Sequence, residues 1–134
     1  MKAKILELTI SPYQKFTEMK ARADEIFLKH VDAFMNPFIP GDALYKQEEE
    51  KYKEASNDFL ELSNRMFGFM EYKYFCPFLV PSKNDIFRAA KALREISKNI
   101  YPERYDPRID YKRRNRRAWN RVNESMHLEL GLKV

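Results

Sequence analysis

Apolar and polar residues alternate over residues 4–10, with Leu6, Leu8 and Ile10 on one side and Ile5, Glu7 and Thr9 on the other. That period predicts a short strand with one apolar face. Ser11 and Pro12 close it and open a helix. Ser11 offers an N-cap oxygen, Pro12 suits the first helical position, and Gln14 completes a capping box. Tyr13, Phe16, Met19, Ala23, Ile26, Phe27, Val31 and Phe34 then recur at helical spacing to about Met35. Pro37, Pro40 and Gly41 break this helix, because proline disfavours helical geometry in the residue before it.

Asp42 can cap a second, long helix. Tyr45, Tyr52, Ala55, Phe59, Leu62, Met66 and Phe69 form a heptad-like seam along it, suited to antiparallel packing against the first. Its first half, Lys46 to Glu54, is nearly all charged and belongs in solvent. The period changes at Gly68. Met70, Tyr72 and Tyr74 alternate with Glu71 and Lys73, which predicts an aromatic strand over 70–76 that pairs with the N-terminal one. A helical continuation through Tyr74 is the competing reading. Ser82 caps a third helix whose buried face is Ile86, Phe87, Ala90, Leu93, Ile96 and Ile100, and Asp106-Pro107 starts a last helix over about 107–129, with Gly131 as its stop. The expected fold is mainly α, a bundle of about four helices with a minor two-stranded β element (α+β in the strict sense), in one domain over 1–134.

Composition agrees with a packed core. The 134 residues are 44% apolar, with ten Phe, eight Tyr and six Met, and only three Gly and seven Pro. A chain of this length buries about two-thirds of its unfolded surface. Cys76 is alone and excludes an internal disulfide. Residues at the start do not resemble a secretory signal, and no run of about 18 apolar residues could span a bilayer. These features predict a cytoplasmic protein with no membrane partner.

Charge changes the picture most. The net charge is +5, yet residues 104–121 alone hold eight basic and two acidic side chains, a local excess near +6. Six of the eight lie in 112–121, which reads Lys-Arg-Arg-Asn-Arg-Arg-Ala-Trp-Asn-Arg. On a helix Tyr111, Ala118, Trp119, Val122 and Met126 share one face, and Arg113, Arg114, Arg116, Arg117 and Arg121 spread over the other with Asn120 among them. Arginine is the better cation for bidentate contact with phosphate and for stacking on bases. Tyr101, Tyr105 and Tyr111 interleave with Arg104 and Arg108. Exposed, they would offer stacking surfaces to single strands; buried, they would fasten a loop to the core.

Arg113-Arg114-Asn115-Arg116-Arg117, followed by Trp119 and Arg121, resembles the arginine-rich RNA-binding helix of the lentiviral Rev protein. It is similar, more loosely, to the boxB-binding peptides of lambdoid N antiterminators. The resemblance covers about ten residues. It implies a helix entering a widened RNA groove, with arginines on phosphates and base edges and Asn115 or Asn120 touching a base. Two features depart from that pattern: Ala118 stands where such helices are usually more basic, and Asn115 falls on the apolar side of the wheel.

Catalytic constellations are weak. His30 and His127 are far apart, and His30 lies beside an apolar stripe, where a core-edge histidine is the ordinary outcome. Cys76 sits between Phe75 and Pro77, a setting that keeps a thiol protonated and inert. Glu71 and Lys73 with Asp58 have the residue types of a metal-dependent nuclease, at a spacing common by chance. No glycine loop is present to cradle phosphate. The expected function is a small non-enzymatic binding protein, without cofactor or metal. It would contact nucleic acid, RNA or the duplex DNA backbone, through Arg104, Arg108, Lys112, Arg113, Arg114, Arg116, Arg117, Asn120 and Arg121. The alternative is a protein-interaction module, such as a phage or mobile-element type of inhibitor or adaptor docking on a host protein or nucleoprotein.

Overall fold

A computed structural model describes residues 2–70 and 82–126, with side chains described from Gln14 onward. Six helices account for the regular structure there: α1 (Lys2–Lys29), α2 (Val31–Met35), α3 (Ala43–Gln47), α4 (Glu49–Phe69), α5 (Lys83–Ile100) and α6 (Tyr111–Met126). The protein is mainly α, and no strand occurs among the described residues.

The N-terminal strand is the principal correction. Residues 4–10 lie inside α1, and Ser11-Pro12 falls within that helix instead of starting it. Ile5 and Leu8 are three apart and Leu6 and Ile10 four apart, so the residues that alternate also satisfy a helical stripe. Lys, Ala, Leu and Glu in this stretch favour a helix, which pairs its own backbone groups without a neighbouring strand. Pro12 brings no N–H, so one link is missing from the helix interior. The second strand, expected over 70–76, falls mostly on 71–81, outside the described residues. Met70 itself remains helical, closing α4.

The apolar repeat of the first helix does reach Met35, with one interruption. His30 leaves helical geometry (φ −113°, ψ 19°), separating α1 from α2. The hydrogen bonds carry across it, from the His30 N–H to the Ile26 carbonyl at 3.0 Å and from the Phe34 N–H to the His30 carbonyl at 2.9 Å. Gly41 then turns the chain at φ 87°, a conformation that suits glycine. Asp42 is a cap, accepting the Leu44 N–H at 3.0 Å, but of the five-residue α3; the long helix expected from it is divided at Glu48, and its long part is α4. The loop is pinned to the far end of α5 by the Phe38 N–H on the Ile100 carbonyl at 2.9 Å. Around Phe38 the rings of Tyr45, Tyr52 and Tyr101 pack with centroids 4.9–6.2 Å away.

The seam of the second helix is buried as its period requires: Tyr52, Ala55, Phe59, Leu62, Met66 and Phe69 all face inward. Helix α4 runs antiparallel to α1, as Lys29–Glu54 and Phe16–Phe69 contacts show. Its most extensive packing, however, is against α5. Small residues bring those two backbones close. Ser56 and Ser97 exchange hydrogen bonds to each other's carbonyls at 2.9 and 2.6 Å, and the Ser63 hydroxyl donates to the Ala90 carbonyl at 2.6 Å. Helix α5 begins at the Ser82 cap, whose hydroxyl accepts the Asp85 N–H. Phe87 is a second correction. It is 43% exposed and packs edge-on to Phe67, because Ile86, Ala89, Ala90 and Leu93 already fill the seam and Phe87 lies on its shoulder. The core gathers Ile26, Phe34, Phe59, Leu62, Met66, Ile86, Leu93, Ile96, Ile100 and Trp119 between α1, α4, α5 and α6.

Candidate nucleic-acid interface

The last helix starts later than Asp106-Pro107 suggests. Asp106 instead shapes the turn that precedes it, accepting the Arg108 backbone N–H at 2.9 Å and both ends of the Arg108 guanidinium at 3.1 Å. Those hydrogen bonds to Arg108, with the nearby Arg114 charge, hold the Asp106 carboxyl below its usual range. The cap of α6 is Asp110, which accepts the Arg113 N–H at 3.0 Å and sets a negative charge at the positive end of the helix. The C-terminal end expected near residue 129, and the Gly131 stop, fall outside the described residues.

One face of α6 is locked inside. Tyr111, Asn115, Ala118, Trp119, Val122, Ser125 and Met126 are buried. Trp119 is fully enclosed, stacked on Phe27 and edge-on to Phe34. Asn115 is also enclosed, and its Nδ2 donates to the Phe34 carbonyl at 3.1 Å, tying α6 to α2. It is therefore unable to touch a base as the Rev-like resemblance implies; it is a structural clamp. Asn120 is half-buried on the edge of the outward face.

Lys112, Arg113, Arg114, Arg117 and Arg121 are exposed, Arg116 is half-buried, and Arg104 and Arg108 are exposed in the preceding link. The sequence wheel thus separates the buried face from the exposed arginines, except that Arg116 and Asn120, placed outside, are half-buried. Two of these cations are engaged: Arg108 by Asp106, and Arg121 by Glu95 of α5 at 3.1 Å. Among the described residues Arg104, Lys112, Arg113, Arg114, Arg116 and Arg117 make no ion pair within 4 Å. Pairing with the Glu48-Glu49-Glu50 run, Asp110 or Glu124 does not occur. Arg113, Arg117 and Arg121 succeed one another at four-residue steps, so like charges crowd one ribbon and their repulsion is relieved by an anion.

The three link tyrosines are largely spoken for. Tyr111 is buried, its hydroxyl accepting the Asp106 N–H at 2.9 Å, and its ring stacks on Tyr105 at 5.5 Å. Tyr101 packs on Phe38 and its hydroxyl donates to Glu49, which raises the Tyr101 pKa.

Sequence reasoning missed one polar cluster. Buried His30 holds Asp58 through Nε2, and Lys29 reaches Glu54 at 2.8 Å and Asp58 at 3.8 Å. The Glu54 hydrogen bond raises the Lys29 pKa. The 28-residue separation of His30 from Asp58 hides the pair, although both lie on inward edges of their helices. Donor atoms of His30, Glu54 and Asp58 fall within 4.8 Å of one another, a ligand set a divalent ion could use. The Lys29 ammonium pairs with both carboxylates and offsets one of their two negative charges, so the cluster is already an ion-pair network. Of the other residues considered for chemistry, Glu71, Lys73, Cys76 and His127 lie outside the described residues.

No described helix is long and apolar enough to cross a membrane. Comparison with protein-family models, with curated proteins and with solved structures returns no match to this chain.

Proposed function

We propose that this protein works by binding, and that the arginine face of α6 grips the phosphate backbone of structured RNA or duplex DNA. The observation that carries the reading is a division within one helix. Its inner face is fixed by Trp119 and Asn115, and its outer face presents Arg113, Arg114 and Arg117 to solvent without a carboxylate partner among the described residues. Arginines on a rigid, buried-anchored helix lose less freedom on binding than arginines on a tail. Their planar guanidinium groups match phosphate oxygens two at a time. Arg104 and Lys112 extend the same cationic surface toward the link.

The test is a salt series of binding to an RNA hairpin and a DNA duplex. Each phosphate neutralised adds about 0.9 to the log–log slope for duplex DNA, so changing Arg113, Arg114 and Arg117 together to Ala should flatten it by about 2 to 3. Binding that is weak, salt-insensitive and unchanged in the triple variant defeats the proposal. If the same variant loses an acidic protein captured after nuclease treatment, the arginines serve protein docking instead.

A further inference from the structure

A cleft of about 790 Å³ opens where α4 and α5 meet the link that leads into α6. Its size lies within the range of small-molecule sites. Lys53, Lys98, Asn99, Tyr101 and Arg104 stand in its wall, together with Glu103, whose exposed carboxylate sets one negative charge against the three positive ones. Lys98 and Arg104 are exposed and make no ion pair among the described residues, whereas Lys53 is held by Glu50 at 3.4 Å. Half-buried Tyr101 adds aromatic surface, with buried Tyr111 behind it. Asn99 is 6% exposed, and its side-chain Nδ2 has no hydrogen-bond partner. A buried amide N–H without an acceptor is costly, and a rotation of this side chain would offer it to a ligand in the cleft.

We infer that this cleft receives a single nucleotide of the strand held on α6, with its phosphate between Lys98 and Arg104 and its base against the Tyr101–Asn99 wall. The inference rests on the nucleic-acid reading above and adds a subsite to it. Continuity favours a nucleotide over an unrelated anion. Arg104 belongs both to the cleft and to the basic segment, and Tyr111 is at once part of the cleft wall and the first residue of α6. In this proposal a strand leaving the arginines at the start of α6 reaches the cleft by way of exposed Arg104, since Tyr111 itself is buried. Cations for the phosphate beside aromatic surface and an amide for the base are the combination that single nucleotides require.

The experiment titrates the full chain with the four ribonucleoside 5′-monophosphates, read by amide chemical shifts, and in parallel measures hairpin binding. Saturable shifts at Lys98, Asn99, Tyr101 and Arg104 are expected. Lys98→Glu and Arg104→Glu, both at exposed positions, should weaken mononucleotide binding about tenfold or more, the weight of a charge-assisted hydrogen bond. Both should also weaken the hairpin complex. Changing Arg113 and Arg117 to Ala should leave the mononucleotide shifts in place. Shifts confined to α6, or none, with hairpin binding indifferent to Lys98→Glu, overturn the cleft while leaving the backbone-gripping helix standing. Mononucleotides in the cleft without any hairpin binding would support the subsite and overturn the reading of α6. Absence of both overturns both.

Discussion

Trp119 stacks on Phe27 with ring centroids 4.4 Å apart and planes 9° from parallel. Through this contact the most basic helix of the protein is built into its core. Trp119→Ala should cost about 3–5 kcal/mol, the usual price of emptying a large aromatic site. Urea unfolding followed by circular dichroism measures it. Trp119→Phe, which keeps a stackable ring, should recover most of the loss. A cost below about 1 kcal/mol for the alanine variant would show that α6 is held by something other than this stack.

Asn115 ties the same helix to α2 through the Phe34 carbonyl. Asn115→Ala removes the donor and leaves that carbonyl buried and unpaired, which should destabilise by about 1–3 kcal/mol. Since Asn115 is enclosed, hairpin binding well below the melting temperature should be unchanged. A large fall in affinity with intact stability would return Asn115 to a reading role.

Much of this architecture is written in periods of three and four. The seam from Tyr52 to Phe69, the α5 stripe apart from Phe87, and the Trp119 face emerge at their predicted sides because each stripe is long enough to be unambiguous. Residues 4–10 mislead because so short an alternation of apolar and polar residues fits both periods, and neither proline nor a cap sequence obliges a helix to begin. Phe87 shows a different limit: hydrophobicity places a side chain near the core, but the small residues Ala89 and Ala90 close the gap before it. The clamp role of Asn115 was half legible. The wheel put it inside, yet only the fold supplies the Phe34 carbonyl, 81 residues away. The His30–Asp58 pair and the cleft at Asn99 depend on helices meeting, which no local spacing encodes.

Tyr52 gives a pH signature. Burial, then the charge of neighbouring groups, pushes its pKa up to about 12, and its hydroxyl donates to the Asn36 carbonyl at 2.8 Å. The folded pKa thus exceeds the unfolded value near 10, so the unfolded chain releases this proton first as pH rises. The contribution is fully present below pH 10 and is lost as pH climbs through 12. Absorbance at the tyrosinate band should show a late-titrating group, and unfolding midpoints should fall across that window. In Tyr52→Phe this component should be lost, leaving the rise of Tyr101, which Glu49 also holds above its usual range.

Asp58 accepts the His30 Nε2–H at 2.6 Å, with His30 itself buried. Asp58→Ala strands that imidazole donor, and a cost of about 1.5–3 kcal/mol is expected, as for other hydrogen bonds to charged groups. Asp58→Asn keeps an acceptor and should cost less. Equal losses in the two variants would mean that the carboxylate charge, shared with Lys29, matters more than the hydrogen bond.

The Arg121–Glu95 pair separates the arginines of α6 into engaged and free. Glu95 holds Arg121 at 3.1 Å with both side chains substantially exposed, so the bridge itself contributes little to stability. It does compete with any phosphate for Arg121. Glu95→Gln should therefore leave the unfolding midpoint nearly unchanged while tightening hairpin binding and steepening its salt dependence by up to about one unit. Arg121→Gln in the wild-type background should cost less affinity than Arg114→Gln, since Arg121 must first give up its carboxylate. If Arg121→Gln proves the more damaging change, Glu95 orients Arg121 toward the ligand and does not restrain it, and Glu95→Gln should then weaken binding.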